Sequence, residues 1–222
     1  MNKKNLLYFL AAVLLIIGLV LVFNQQLTSM MVSQMTSQAL KKPIRKTQPS
    51  KGKFNFKKIK SASPLAVAKT KFSQSSASSI GRIAIPAVKL KLPIFYGTTN
   101  DNLLRGAGTL KANQKMGHGN YALAGHHMNN PNILFSPLAR AKVGEMAYLT
   151  DGQKVYQYRL TLRKTISKYQ VNVINDVPRQ KLLTLITCDP IKGVAHTPLR
   201  IFLQGKLVAT QNATAANLKI FE

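Results

Sequence analysis

The first regularity along the chain is an unbroken apolar run. Asn5 to Phe23 are nineteen uncharged, almost wholly apolar residues. A helix of that length spans about 28 Å, close to the hydrocarbon thickness of a bilayer. Lys3 and Lys4 precede it and residues 24–40 carry no charge. The positive-inside rule then predicts a cytoplasmic N-terminus, with the rest of the chain outside. The basic cluster from Lys41 opposes this, but it lies at the edge of the rule's reach. A cleaved leader would have a shorter apolar core followed by a small-x-small site, and Phe23-Asn24-Gln25-Gln26 offers none. Residues 1–23 are therefore expected to be a cytoplasmic stub and an uncleaved membrane anchor.

Residues 24–79 lose this pattern and are rich in Ser, Thr, Gln and Lys. They are expected to form a basic polar tether, which as a coil reaches roughly 40 Å. Lys53 to Lys60 mixes cations with Phe54, Phe56 and Ile59, a composition suited to an anionic membrane surface or to a solvated linker. Ser63-Pro64 predicts the start of a short helix.

Period-2 alternation begins near residue 80. Ile83 and Ile85 occupy odd positions, while Val88, Leu90, Leu92 and Ile94 occupy even ones. The slip at Pro86-Ala87 predicts two strands or one bulged strand. Asn100 to Arg105 reads as a short helix stopped by Gly106. Tyr121 to His126 reads as a strand with Ala122, Ala124 and His126 on one face. Ser136-Pro137 opens another short helix, and Asp151-Gly152 marks a hairpin. Residues 164–181 read as a polar loop with apolar points at Val171, Val173 and Ile174. Leu182 to Thr187 and Leu199 to Leu203 complete the strands. Seven or eight short strands without βαβ spacing predict an all-β barrel or sandwich over residues 80–208. Residues 209–222 are expected to be a frayed tail.

Charge narrows the partners. The formal net charge is +26. Thirteen of the 32 Lys and Arg residues precede residue 81, where no acid occurs; the remainder share residues 81–222 with all six acids, leaving +13 there. Both halves favour an anionic neighbourhood. No helix-turn-helix, zinc-finger or RNA-recognition signature is present, so no nucleic-acid partner is expected. The single cysteine excludes an internal disulfide.

That cysteine, Cys188, stands at a strand end just before Asp189-Pro190, and Arg200 follows twelve positions later near the start of the next strand. Paired strands can set a thiol beside a guanidinium. A lone strand cysteine is commonly a small buried hydrophobe; a nucleophile also needs a base or cation nearby. Four histidines are available. His118 lies in a glycine-rich turn and His196 in the loop between Cys188 and Arg200. His126 shares the face of Ala122 and Ala124, where small side chains leave room for a peptide, whereas His127 points the other way. Periodicity favours His126 without excluding His127.

Thr184-Leu185-Ile186-Thr187-Cys188 with the downstream Arg200 resembles the sortase signature. Leu123-Ala124-Gly125-His126-His127 resembles the histidine motif of that family. Ile83-Ala84-Ile85-Pro86, Leu92-Pro93-Ile94-Phe95-Tyr96-Gly97 and Arg105-Gly106-Ala107-Gly108-Thr109-Leu110 resemble its opening segments. The likeness covers residues 80–207, and the N-terminal anchor and short tail are similar to a class A, housekeeping sortase. It implies an eight-stranded β-barrel with a few short helices behind a single transmembrane helix, facing outward from a Gram-positive membrane. It implies a cysteine transpeptidase that cuts Leu-Pro-x-Thr-Gly sorting signals between Thr and Gly and joins the Thr carbonyl to an amine of lipid II or the cell-wall cross-bridge. Cys188 would be nucleophile, His126 proton carrier and Arg200 oxyanion or backbone ligand. Ala124, Thr187, Val171, Val173 and Ile174 would contact the signal.

One interval departs from family members that bind calcium: Lys111-Ala112-Asn113-Gln114-Lys115 carries no carboxylate. Calcium is not expected as a cofactor, because hard cations want several oxygen ligands. A pilus-assembling relative would carry a lid segment or a second transmembrane helix, which the sequence does not show. The competing functions are a membrane-anchored cysteine endopeptidase and a non-catalytic tethered polycation that binds wall polymers.

Overall fold

A computed structural model describes residues 3–45, 52–54, 63–72, 78–189 and 197–222. The apolar run forms α1 (Lys3–Val22), whose side chains from Lys4 onward are almost wholly unburied. It is followed, where a coil was expected, by a second helix, α2 (Asn24–Lys41). Thr28, Val32, Met35 and Ala39 form the buried stripe of α2, at the i, i+4, i+7, i+11 spacing of one helix face. Val32 and Met35 join the main core together with Val67 of α3 (Pro64–Phe72). Arg82 Nη2 donates to Leu40 O at 2.6 Å, and Arg45 N donates to Ser79 O at 2.8 Å. Residues 24–45 are thus a strut fastened to the domain. Ser63 caps α3 as the sequence implied, its Oγ accepting from Ala66 N at 3.2 Å. The segment Lys53 to Lys60 lies largely outside the described residues. Its described part docks: Phe54 packs edge-on against Tyr96, with ring centroids 5.2 Å apart.

Eight strands close a barrel: β1 (Gly81–Ile85), β2 (Leu90–Phe95), β3 (Ala107–Thr109), β4 (Asn120–Ala124), β5 (Met146–Thr150), β6 (Lys154–Ser167), β7 (Leu182–Cys188) and β8 (Leu199–Asn212). Their order around the barrel is β1-β2-β3-β4-β7-β8-β6-β5. The Pro86 slip is a short 3₁₀ turn, Pro86–Val88, which flips the inward face between β1 and β2. Inward positions obey period 2: Tyr121 and Leu123 on β4, Leu183 and Leu185 on β7, and Ile201 and Leu203 on β8 belong to the core. The helix α4 (Asn100–Arg105) is capped by Thr99, whose side chain accepts from Asn102 N. It does end at Gly106, but not through a left-handed turn, since φ there is 175°. The need for glycine is proximity: an added Cβ would collide with Pro93 O.

The tail is ordered rather than frayed. β8 pairs with β6 as far as Asn212, and Thr214 then caps α5 (Ala215–Leu218) through a capping box. Phe221 is buried against Ala84 and Val155.

Candidate active site

β7 and β8 are antiparallel, and Cys188 is the direct register partner of Arg200. Directly opposed residues have Cα atoms about 4.5–5.5 Å apart and side chains on the same face. Parity fixes which face. Leu183 and Leu185 point inward, so Cys188 points outward, as does Arg200 beside the inward Ile201. The pair stands on the outer wall of the barrel. Both residues are half-buried. Arg200 Nη1 donates to the carbonyls of Thr197 and Leu199, each at 2.8 Å, which holds the guanidinium against its own turn.

β4 runs parallel to β7 with Ala124 opposite Ile186. β4 ends two residues sooner than the alternation implied. Gly125 N still donates to Ile186 O at 3.2 Å, and Thr187 Oγ1 donates to Gly125 O at 2.9 Å. The ladder stops there, so His126, two residues past the end of β4, and Cys188, at the end of β7, stand at the same end of this strand pair. Gly125 is required there because an added Cβ would lie 2.6 Å from Phe135 Cγ. Phe135 N in turn donates to His126 O at 3.0 Å, fixing the turn that presents the histidine.

The two histidines differ in surroundings. His126 is 8% exposed, and its Nε2 has no hydrogen-bond partner among the described residues. Burial pushes its pKa down to about 4, so its imidazole is neutral at physiological pH. His127 is half-buried and is also shifted down by burial. A hydrogen bond to the Cys188 backbone and the charge of Asp189 work against that shift. Both neighbours favour the cation, so the backbone partner is the Cys188 carbonyl. Asp189 Oδ2 accepts from Thr165 Oγ1 at 2.8 Å, and Asp189 N donates to Leu199 O, pinning the exit of β7. His118 is exposed, at the far end of β4, and His196 lies outside the described residues.

The structure separates the expected substrate contacts. Val171 is 64% exposed; it shares a 3₁₀ turn, Val171–Ile174, with the half-buried Val173 and Ile174. Ala124 is half-buried on the outward face, while Ala122 is fully buried and adds nothing to an open groove. Thr187 is set apart from these. It is 2% exposed, faces inward, and spends its hydroxyl on Gly125; its job is to tie the histidine turn to the cysteine strand.

No local pattern announced the clamp that holds the 3₁₀ turn. Asn120, 1% exposed, donates through Nδ2 to Val173 O and Asn175 O, each at 3.1 Å. Asp176 Oδ1 accepts from Asn120 N at 2.7 Å and from Lys111 Nζ at 2.6 Å. These bonds, Lys111's first, hold the Asp176 carboxyl below its usual range. Among the described residues, no cluster of His, Cys, Asp or Glu suits a metal ion.

A family model described as the sortase domain matches residues 83–208. The chain belongs to the sortase family. It is 38% identical to sortase A of Streptococcus agalactiae, over all of this chain and 95% of that protein. It is 36% identical to sortase A of Listeria monocytogenes, over 96% of this chain and 95% of that one. The solved structure of the Listeria monocytogenes enzyme superposes with a TM-score of 0.61 at 41% identity, covering 64% of this chain and 97% of that structure. Sortases are cysteine transpeptidases, and this chain is one; α1 is long and apolar enough to cross a membrane.

Proposed function

We propose that this sortase cleaves Leu-Pro-x-Thr-Gly signals on secreted proteins between Thr and Gly and transfers the Thr carbonyl to an amine of lipid II or the wall cross-bridge. The observation that carries the assignment of the nucleophile is that a cysteine transpeptidase with one cysteine, Cys188, has Arg200 directly across the ladder from it. As Cys188 Sγ attacks the Thr carbonyl, the neutral His126 accepts the thiol proton. Arg200 hydrogen-bonds the resulting oxyanion. His126 passes the proton to the departing Gly amine, leaving a thioester on Cys188. It then takes a proton from the acceptor amine as that amine attacks the thioester, which forms the new amide and frees the thiol. Ala124 lies beside the reacting carbonyl, and Val171, Val173 and Ile174 cradle the Leu-Pro end. The lysine-flanked span orients the N-terminus to the cytoplasm and the barrel to the cell exterior.

Mass spectrometry of the full chain with a sorting peptide tests the reading directly. A thioester on Cys188, released as an amide only when an amine is supplied, is expected. Free acid as the sole product in the presence of amine would leave only a protease. Arg200→Ala lowers kcat/KM about 10²–10³-fold, the usual loss for one oxyanion donor, and Arg200→Lys recovers little because a point charge replaces a planar fork.

No calcium is needed in this scheme. The Lys111 ammonium bridges the β3–β4 turn to the substrate loop at Asp176, so that carboxylate already has its cation. Chelator and added calcium therefore leave the rate unchanged. Asp176→Ala raises KM for the peptide several-fold with little change in kcat, as steady-state kinetics will show; a pure kcat effect would refute the clamp.

A further inference from the structure

Two clefts flank the loop that follows the histidines. α1 and α2 run almost as one helix, since Phe23 N donates to Leu19 O at 2.9 Å and Leu27 N donates to Phe23 O at 3.0 Å across the junction. At the foot of α2, Gln25, Gln26 and Ser29 face Asn129, Asn130 and Pro131 across the first cleft. Gln26 lies about 6 Å along the helix axis from Val22, where the apolar span ends. With α1 embedded, this foot and the loop facing it stand at the depth of the lipid headgroups, about 5–7 Å thick on each side of the hydrocarbon.

The loop leads straight to the second cleft. Arg140 Nη1 donates to Pro131 O at 2.8 Å, and its Nη2 donates to Asn132 Oδ1 at 3.1 Å. Arg140, Lys142 and Arg163 line this cleft, with Val143, 58% exposed, among them. Arg163 Nη2 donates to Ala139 O at 2.9 Å, which holds the third cation in place. One acid is nearby: Glu145 Oε2 accepts from the Lys142 backbone N–H at 3.1 Å, closing its own turn. Three cations against one carboxylate leave the patch positive. An apolar tip ringed by long basic side chains is the pattern of a surface seated among anionic headgroups.

We propose that the Arg140–Lys142–Arg163 cleft binds the phosphate groups of anionic membrane lipids and seats the barrel on the bilayer beside its own anchor. This rests on α1 as a membrane anchor and not on the catalytic assignment, so either can fail alone. Held in this way, the active site works at the depth where a lipid-linked amine is presented. The phosphate could instead belong to a soluble polyanion, and the test separates the two sources.

The full chain carrying Cys188→Ser and Val143→Cys is labelled with a nitroxide and placed in nanodiscs of phosphatidylcholine, with or without phosphatidylglycerol. Collision with a water-soluble nickel chelate is read by power-saturation electron paramagnetic resonance. Access is expected to fall several-fold in the anionic discs. Added salt should restore it, as should Arg140→Gln, Lys142→Gln and Arg163→Gln together. Equal access in both discs overturns the proposal. So does a fall that soluble polyphosphate reproduces in neutral discs, which would assign the cleft to a wall polymer. The salt arm leaves Arg140, Lys142 and Arg163 unsubstituted, so a poorly folding triple variant does not decide the outcome.

Discussion

Cys188→Ala yields no thioester with a sorting peptide and loses roughly 10⁴-fold or more in turnover, because neither half-reaction has another route. The fold survives this change. Cys188 is half-buried on the outer wall, makes no disulfide, and gives up only one sulfur atom at the end of its strand. Such a deletion sits within the ordinary range for a partly exposed position, about 1 kcal/mol. The comparison is made on full chain in detergent, with intact-mass spectrometry for the acyl-enzyme and thermal unfolding for the fold. Turnover that persists in the variant would remove the transpeptidase centre from this wall of the barrel and leave a basic, wall-binding surface as the better account.

The route from sequence to this centre was direct where chemistry follows parity and indirect elsewhere. Period 2 along Leu182 to Cys188 already implied that Cys188 faces away from Leu183 and Leu185, and the ladder agrees. The same parity places Thr187 inward, where it is 2% exposed. The strut α2 was harder to see. Its buried stripe has helical spacing, but two of its four members are Thr28 and Ala39, and the apolar signal is diluted among Ser and Gln. β8 was cut short because its last residues are mostly polar and exposed. Their partner is the first half of β6, 45 to 58 positions away, so what holds them is backbone pairing that leaves no hydropathy pattern. The Asn120 clamp is likewise made of side-chain bonds to carbonyls 53 and 55 positions away, for which no local pattern exists.

His126→Ala lowers kcat/KM by about 10²–10⁴-fold, the range for a positioned proton carrier, while His127→Ala costs less because its ring bonds to a backbone carbonyl rather than moving the proton. His126 also leaves a signature independent of turnover. Its pKa is near 4 in the fold and about 6.5 in the unfolded chain. Between those values the unfolded state binds more protons, so stability falls as pH drops through this window and is fully restored above it. A shift of that size corresponds to about 3 kcal/mol at most. Thermal unfolding of the parent from pH 7 to pH 4 should therefore show a steeper decline than that of His126→Gln, which has no proton to gain at this position. Parallel declines would mean that the ring is as well solvated in the fold as out of it. His126 would then have no claim to the neutral, sheltered role, and His127 would become the residue to test beside the thiol.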